Sequence, residues 1–281
     1  MSMSERNMKN IQTIEKSCFC LTLTDNVYES KPAQLHAALM GEARMQWADK
    51  SWNVIVCKDG QVLLQGDFEG YGNDLARKLN LYMDTVVQIA LQLAFLRTHG
   101  SFAPIYETAS TRKFYHGRTE TVRGCTHEMV AFGQAIIDGK SVVLAVIWID
   151  VCGAQIFGCI DRHLYGLRKT LENFRNSGSL STNTPEIFTD EAWKVSGGDG
   201  NYLLSTSFSG YMAENDEVGF YGFVTAMRPD GYGTFYRIGR NSLQLVITDW
   251  CQSKSNLSAY GENIKWSLAK LGSLFTYRAK L

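Results

Sequence analysis

The stretch that decides the fold is residues 84–100, which read DTVVQIALQLAFLRTHG. Asp84 is a residue type that commonly begins a helix, and Gly100 is one that commonly ends it. Between them, residues 86–96 are apolar apart from two glutamines. A helix that is apolar on most of its faces must be buried, so we expect this helix to form the centre of the core.

The segments on both sides of this helix predict a mixture of strands and helices. Two apolar runs within residues 49–64 flank an Asp-Gly dipeptide, which is a strong signal for a hairpin turn. Residues 161–173 predict a second long helix, and residues 265–271 a short one that ends at Gly272. Further predicted elements are strands at 19–23, 202–205, 232–236 and 243–247, and helices at 8–17 and 31–39. This mixture predicts an α/β or α+β fold rather than a helix bundle.

Composition excludes several classes of function. The chain has 281 residues, of which 45% are hydrophobic, enough for one large domain or two small ones. Its 28 cationic residues balance 28 acidic ones, so net charge does not direct it to nucleic acid or to an anionic membrane. Residues 142–160 are the candidate for a membrane span, but Asp150 and Gln155 interrupt them, which favours buried strands. The seven cysteines lack metal-ligand spacing, so we expect no metal and reduced, buried thiols.

The strongest functional pattern is residues 106–123, which read YETASTRKFYHGRTETVR. This run places hydroxyls, phenols, carboxylates and several cations close together along the chain. Such a composition suits a pocket for a small charged substrate better than a packed core. A second segment, residues 204–207, reads LSTS and adds three hydroxyl side chains in succession.

Six segments of this sequence, in order, resemble the motifs of the choline/carnitine O-acyltransferases. Two of them are residues 106–123 and 204–207. The other four are 47–52 (WADKSW), 87–94 (VQIALQLA), 161–167 (DRHLYGL) and 229–233 (PDGYG). Because six matches in family order are far more specific than any single one, the chain is identified as a member of this family. Residues 114–118 (FYHGR) and 196–198 (SGG) are most similar to the soluble, peroxisomal, medium-chain members.

The resemblance implies a chloramphenicol-acetyltransferase-like α/β fold, with a mixed sheet and flanking helices. Family members contain two such halves, with the substrate tunnel between them. By this resemblance, residues 1–66 are a fragment of the half that contains the catalytic histidine, and residues 67–281 are most of the other half. The chain would then correspond to roughly the C-terminal half of a full member. An isolated half exposes apolar surface, which predicts an oligomer or a partner that covers it.

The resemblance also implies carnitine rather than choline as the substrate. Residues 118–121 (RTET) are similar to the pattern of the carnitine enzymes, and carnitine has a carboxylate that choline lacks. On this resemblance, Tyr106 and Thr119 hydrogen-bond that carboxylate, and Arg162 supplies the opposing charge. The expected carnitine side is completed by Thr108 and Ser205.

An oxyanion-stabilising hydroxyl and a coenzyme A side follow from the same resemblance. Ser207 matches the serine that stabilises the oxyanion of the tetrahedral intermediate. Relatives place two lysines here for the phosphates of coenzyme A; Arg77 stands at the second of these positions with Lys78 next to it, and Asp84 begins the next helix. Asn73 stands where the first lysine is expected, so one charge is lost. Acyl-CoA is therefore expected as a co-substrate, with no permanently bound cofactor.

The main departure from the family pattern concerns the general base. Transfer of an acyl group from a thioester to the 3-hydroxyl of carnitine needs a base, and histidine suits this role. The family's Glu-His segment follows the predicted hairpin, but here residues 66–73 read GDFEGYGN. Either Asp67-Phe68 replaces Glu-His, or the segment is deleted at about residues 65–67. Both alignments leave no base, and the five histidines of the chain are expected to be structural or exposed.

Three functional hypotheses follow. The first is an acyltransferase that moves a medium-chain acyl group between coenzyme A and carnitine, impaired by the missing histidine segment. The second is a pseudoenzyme, a non-catalytic module that binds carnitine or acyl-CoA or interacts with a partner. The third is an incomplete gene product of an active enzyme. Ala279-Lys280-Leu281 is a variant of the Ser-Lys-Leu peroxisomal signal, so we expect a peroxisomal location, with the cytoplasm as the alternative.

Overall fold

The computed structural model describes residues 19–23, 52–56, 61–140, 161–178, 183–212, 222–250 and 255–278. Several predictions lie outside these ranges: the helices at 8–17 and 31–39, the apolar run at 142–160 and the tripeptide at 279–281. Within the described ranges, no helix is both long enough and apolar enough to cross a membrane.

The described strands form a mixed sheet. Their bounds are β1 Phe19–Leu23, β2 Trp52–Val56, β3 Gln61–Glu69, β4 Ile105–Ser110, β5 Thr119–Val122, β6 Leu204–Tyr211, β7 Tyr232–Ile238 and β8 Ser242–Trp250. Their order across the sheet is β1-β2-β3-β8-β7-β6-β4-β5. The pairs β1–β2, β4–β6 and β6–β7 are parallel, and the other neighbours are antiparallel. The antiparallel β2–β3 pair confirms the predicted hairpin, and the mixed sheet with its helices confirms the α/β class.

Two adjacent parallel strands, β4 and β6, position most of the predicted site. Their ladder consists of Ile105 opposite Leu204 and Tyr106 opposite Ser205. On its other side β4 pairs with β5, and β6 pairs with β7. Because side chains alternate along a strand, successive residues of β4 face opposite sides of the sheet.

The predicted core helix is confirmed. The described helices are α1 Asn73–Lys78, α2 Met83–His99, α3 His127–Ile137, α4 Asp161–Asn176, α5 Glu191–Val195 and α6 Leu257–Arg278. Helix α2 packs against α6, and twelve of its 17 residues are buried. Gly100 ends it with a left-handed φ of 74°, as predicted. Its start was predicted wrongly: Tyr82 is the N-cap, and Asp84 lies in the first turn, where it accepts a hydrogen bond from Tyr236.

Helix α6 is much longer than the sequence predicted, with 22 residues. The prediction that Gly272 ends this helix is wrong, because Gly272 lies inside it. A Cβ at Gly272 would come within 2.8 Å of the Tyr71 ring, and the Tyr71 hydroxyl donates to the Leu268 carbonyl at 2.7 Å. The glycine therefore allows a ring to approach the helix rather than stopping the chain.

Helix α4 confirms the element predicted at residues 161–173. Its Arg162 contacts Tyr106, whereas Gln88 of α2 contacts the neighbouring Glu107, so the two helices lie on opposite faces of β4. None of the residues of α4 is buried. Polar contacts such as the bond from Arg162 to Tyr106 therefore contribute to its position.

Strand β3 crosses the boundary predicted between residues 66 and 67 without interruption. It runs over Gln61–Glu69 and pairs with β8 along its whole length. The division into residues 1–66 and 67–281 stays a prediction.

Candidate functional site

Three of the predicted carnitine residues form a hydrogen-bonded group, the Tyr106 cluster (Tyr106, Thr108 and Arg162). Thr108 Oγ1 donates to Tyr106 Oη at 3.1 Å, and Arg162 Nη2 donates to the same oxygen at 2.9 Å. Because Tyr106 Oη accepts both bonds, its own hydrogen can be donated to a ligand. Arg162 and Thr108 are exposed and Tyr106 is half-buried. A guanidinium beside a phenol and a hydroxyl suits the binding of a carboxylate.

The Tyr106 cluster borders a cavity of about 400 Å³ between α4 and the segment around Gly197. The aromatic rings that line the cavity belong to Tyr106, Tyr165, Trp193 and Tyr202. The charged side chains that line it are Asp161, Arg162, Arg168, Lys169, Glu172 and Asp199. These walls offer both signs of charge and several aromatic faces. Such walls suit a small ligand that has both an anionic and a cationic group.

Two glycines allow the wall of this cavity to pack closely. A Cβ at Gly197 would lie 2.3 Å from the Tyr202 ring, and one at Gly198 would lie 2.4 Å from the Trp193 ring. The φ of Gly197 is 100°, a conformation that side chains other than glycine's rarely adopt. Because they have no side chains, the glycines of the SGG segment allow two of the aromatic rings that line the cavity to pack against the backbone.

The start of α4 is fixed by Arg123. Its Nε and Nη2 donate to the Asp161 carboxylate at 2.8 and 2.5 Å, and its Nη1 donates to the Ser196 carbonyl at 2.6 Å. The next backbone N–H, that of Arg162, donates to Glu120 Oε1 at 3.1 Å. Since Arg162 directly follows Asp161, these bonds hold the Arg162 side chain near the cavity.

The two predicted serines lie on β6, beside the Tyr106 cluster. Ser205 is buried and stands opposite Tyr106 in the ladder, and Ser207 is half-buried. Thr119 is exposed at the start of β5. Within the described part of the chain, no hydrogen bond joins Thr119 to the Tyr106 cluster. The structure therefore brings Tyr106, Thr108, Arg162 and Ser205 onto neighbouring elements and leaves Thr119 further along β5.

Two of the predicted coenzyme A residues, Arg77 and Asp84, act electrostatically on the far end of β6. Arg77 and Lys78 are exposed in the last turn of α1, and Asp84 is half-buried. Burial raises the pKa of Tyr211 at the end of β6; the charge of Asp84 adds to the rise and that of Arg77 opposes it. Both charges therefore act on the side chain at the end of β6. Strand β6 also contains Ser205 and Ser207, the serines predicted for the carnitine side and the oxyanion.

A buried polar network lies behind the site, on the other face of β4. Its centre is Glu107, which is 7% exposed. Burial raises the pKa of this carboxyl; the Thr206 hydrogen bond opposes the rise and the Asp84 charge adds to it. Burial also raises the pKa of Asp84, against the hydrogen bond from Tyr236. The sequence pattern predicts no role for Glu107. Gln88, one of the two glutamines in the apolar stretch of α2, is the signal that α2 meets a buried polar group.

No described histidine is placed to act as the general base. These residues are His99, His116, His127 and His163, and all are exposed. His99 Nε2 lies 2.9 Å from the Tyr232 hydroxyl, and His116 lies in a turn with its ring 3.8 Å from that of Tyr115. Among the described residues, none of the four makes a hydrogen bond to Ser205, to Ser207 or to the Tyr106 cluster. The same ranges contain no group of three metal-ligating side chains.

Several site residues were not predicted from the sequence. Arg123 is the last residue of the polar segment 106–123. No partner was predicted for it, because its contact Asp161 lies 38 positions away in the sequence. Tyr165, Trp193 and Tyr202 line the cavity, and nothing in their local pattern separates them from ordinary aromatic residues. Only the neighbouring glycines at 197 and 198 gave a signal.

Comparison with known proteins identifies the family. The choline/carnitine O-acyltransferase family matches residues 1–68, 65–145 and 158–266. The first two of these ranges overlap at residues 65–68, where the sequence predicts the missing histidine segment.

Individual proteins agree with this match. The peroxisomal carnitine O-octanoyltransferases of Rattus norvegicus and Homo sapiens are 38% identical over 196 residues and 39% over 194, respectively. Each match covers 65% of this chain and 30% of the relative. The choline O-acetyltransferase of Mus musculus is 30% identical over 263 residues, which cover 89% of this chain and 37% of the relative. The chain therefore spans about a third of the length of these relatives.

Similarity to solved structures is low. The epimerization domain of tyrocidine synthetase B has a TM-score of 0.39 at 10% identity, over 98% of this chain and 60% of that chain. Chloramphenicol acetyltransferase has a TM-score of 0.37 at 11% identity, over 75% of this chain and 89% of that chain. These TM-scores are too low to support a conclusion. The family match covers most of the sequence, and the chain therefore belongs to the choline/carnitine O-acyltransferase family.

Proposed function

We propose that this chain binds carnitine and acyl-CoA at the site around β4 and β6, as part of a carnitine O-acyltransferase whose acyl transfer is impaired. The observation that supports this most is the Tyr106 cluster, where Arg162 and Thr108 converge on one phenol oxygen beside a cavity. The reaction is transfer of an acyl group between the thiol of coenzyme A and the 3-hydroxyl of carnitine. Octanoyl, a medium-chain group, is the first choice because relatives with 38% and 39% identity are octanoyltransferases.

Carnitine has two charged ends that fit the walls of the cavity. Its carboxylate would accept hydrogen bonds from Arg162 and Tyr106. Its trimethylammonium group would lie against the rings of Tyr165, Trp193 and Tyr202, because quaternary ammonium groups are attracted to aromatic faces. A cavity of about 400 Å³ has room for a molecule of this size.

The chemistry of transfer assigns a role to Ser207. The carnitine oxygen attacks the thioester carbonyl carbon and gives a tetrahedral oxyanion, which the Ser207 hydroxyl would stabilise. The carbon–sulfur bond then breaks, and coenzyme A leaves as a thiolate. The hydroxyl proton of carnitine must pass to a base and finally to that thiolate. Since no described histidine lies at this site, we expect the proton transfer to be the impaired step.

The second hypothesis, a pseudoenzyme that binds carnitine or acyl-CoA, uses the same site without transfer. The third, an incomplete product of the gene for an active enzyme, is supported by the division of the family match into two ranges that overlap at residues 65–68. The genomic sequence between the codons for Gln65 and Phe68 distinguishes the third from the others, because a skipped exon that encodes Glu-His would lie there. A peroxisomal location is supported by the names of the octanoyltransferases. An oligomer or a partner that covers the apolar surface exposed by the isolated half remains part of the proposal.

The test is octanoylcarnitine formation from octanoyl-CoA and carnitine by the purified chain, with Ser207→Ala and Arg162→Ala. We expect turnover no faster than in the Ser207→Ala variant, because the base is missing. Rapid turnover that both substitutions abolish would contradict the impairment and would require a base elsewhere in the chain. Arg112→Ala is the matched control, because Arg112 is an exposed arginine outside the Tyr106 cluster.

A further inference from the structure

The two site-bearing strands, β4 and β6, separate at the site itself. Their ladder ends with Tyr106 opposite Ser205. Beyond that pair, β4 continues against β5 to Ser110, and β6 continues against β7 to Phe208 before a register shift. No backbone ladder therefore sets the distance between Thr108 and Ser207 within the described sheet.

Where the β4–β6 ladder ends, the carboxylate of Glu107 hydrogen-bonds to both strands. Glu107 Oε1 accepts from the backbone N–H of Thr108 at 3.0 Å and of Phe208 at 3.4 Å, and so bonds to both strands. The single hydroxyl hydrogen of Thr206 is shared between two acceptors, Glu107 Oε2 at 2.5 Å from Oγ1 and the Tyr106 carbonyl oxygen at 2.7 Å. Through these bonds one side chain connects the backbones of the two diverging strands.

The same carboxylate connects the strands to the core. Glu107 Oε2 also accepts from Gln88 Nε2 of α2 at 2.8 Å, and it lies 3.3 Å from the Tyr236 hydroxyl of β7. The Tyr236 hydroxyl lies between Glu107 and Asp84 and donates its single hydrogen mainly to Asp84, the nearer carboxylate. Glu107, itself on β4, therefore contacts three other elements, β6, α2 and β7, and one of its neighbours bonds directly to a predicted coenzyme A residue.

We propose that Glu107 is a positioning residue that fixes the spacing of β4 and β6, and with it the distance between the Tyr106 cluster and Ser207. The role rests on the proposed function in that these side chains bind carnitine and stabilise the oxyanion. Glu107 itself cannot face the ligand from β4, because it points to the opposite side of the sheet from Tyr106 and Thr108.

The chemistry of Glu107 argues against a general structural role. A carboxyl that is 7% exposed is costly to bury, and no described cation contacts it. An apolar side chain would stabilise the core better if burial were the only requirement. A group with several acceptor positions is needed to hydrogen-bond to two strand backbones at once and so keep them at a fixed distance.

Hydrogen–deuterium exchange tests this proposal without any ligand. We expect amides in residues 105–110 and 204–211 to exchange at least about tenfold faster in Glu107→Gln, with residues 242–250 of β8 unchanged. Thr206→Val keeps the shape of the side chain and removes the hydroxyl that contacts Glu107 and the Tyr106 carbonyl, so exchange should rise by about threefold in both segments. Thr234→Val is the matched control: Thr234 is also buried and pairs with Thr206 in register, and exchange should not change.

Two exchange results would overturn the proposal. One is unchanged exchange at residues 105–110 and 204–211 in both variants. The other is an equal increase at residues 242–250, which would mean a general loss of stability rather than a local loss of positioning. If Glu107→Gln does not fold, the exchange result for Thr206→Val decides between the two outcomes. This variant keeps the buried carboxylate and removes only its bond to Thr206 on β6.

Carnitine titration by calorimetry separates this proposal from the proposed function. We expect Glu107→Gln to weaken carnitine binding by about tenfold and Thr234→Val to leave it unchanged. Equal affinity in wild type and Glu107→Gln would overturn positioning. If the wild-type chain does not bind carnitine, the proposed function fails, and the exchange experiment still decides the role of Glu107.

Discussion

Helices α2 and α4 flank the same sheet and are held in opposite ways. In α2, twelve of 17 residues are buried, and the helix packs against α6 and the sheet. In α4, which has 16 residues, none is buried. The α4 side instead has ion pairs and hydrogen bonds: Arg123 with Asp161, Arg168 with Asp199 and the Arg162 N–H with Glu120.

This difference separates stability from site geometry. Burial of apolar surface is the main stabilising contribution to a fold, so the free energy of unfolding should depend mostly on the α2 side. The shape of the cavity and the position of Arg162 depend on α4. The polar contacts of α4 contribute little to stability, but they fix the orientation of this helix. Substitutions on the two sides should therefore change different measured quantities.

The largest expected effect on stability is at the centre of α2. Leu91 is fully buried, and Leu91→Ala should lower the free energy of unfolding by about 2–5 kcal/mol through lost burial and a cavity. Leu167→Ala on α4 is the control, because Leu167 is 49% exposed and should change the value by less than about 0.5 kcal/mol. Urea denaturation measures both. Equal losses in the free energy of unfolding would contradict the claim that α2, and not α4, contributes most of the stability.

A smaller effect on stability, with a larger effect on binding, is expected at the anchor of α4. Arg123 is 33% exposed and its partner Asp161 12% exposed, so Arg123→Ala should cost only about 1.5 kcal/mol. Because Arg162 would lose its fixed position, carnitine affinity should fall by about tenfold. Lys140→Ala removes an exposed pair with Asp138 and is the matched control for both measurements. A variant that loses stability but keeps full affinity would contradict the anchoring role.

The pH dependence of stability should show the buried carboxyl network behind the site. Burial raises the pKa of Glu107 above its ordinary value of 4.5, so the folded chain holds this proton to higher pH than the unfolded chain does. The free energy of unfolding should therefore fall as pH rises through the window above 4.5. Relative to Glu107→Gln, which lacks this titration, wild type should gain stability as pH falls from about 7 toward 4.5. Urea denaturation of both chains over this range checks the sign, and a difference that grows with rising pH would contradict it.

The smallest effect is expected at the cations of α1. Arg77 and Lys78 are both exposed, and charge pairs in water contribute little. Substitution of both residues by alanine should weaken coenzyme A binding by about threefold at low salt, with little change at high salt. Calorimetry with coenzyme A and with pantetheine, which lacks the nucleotide phosphates, provides the comparison. An equal loss for both ligands would contradict a phosphate-binding role.

The sequence predicted the elements whose signals are local. The apolar run of α2, its stop at Gly100 and the β2–β3 hairpin each follow from neighbouring residues, and the structure confirms them. The end of α6 could not be predicted in this way, because Gly272 is explained by the distant ring of Tyr71. The N-cap of α2 was missed for a similar reason, since Asp84 bonds to Tyr236 on β7.

Of the candidate site, the sequence named the residues that the resemblance assigned, and their roles stay predictions. Tyr106, Thr108 and Arg162 meet in one cluster although 56 positions separate the first from the last. The anchor Arg123 and the centre of the network, Glu107, were not predicted. Their roles depend on partners from other elements, and a pattern within one segment contains no information about those partners.

Calorimetric titration of carnitine into wild type, Arg162→Ala and Arg112→Ala tests the central proposal, that this chain has a carnitine site built on β4, β6 and α4. We predict measurable binding in wild type and in Arg112→Ala, and a loss of at least about tenfold in Arg162→Ala, because the guanidinium would pair with the carboxylate of carnitine. Absence of binding in wild type, or equal binding in all three chains, would contradict it.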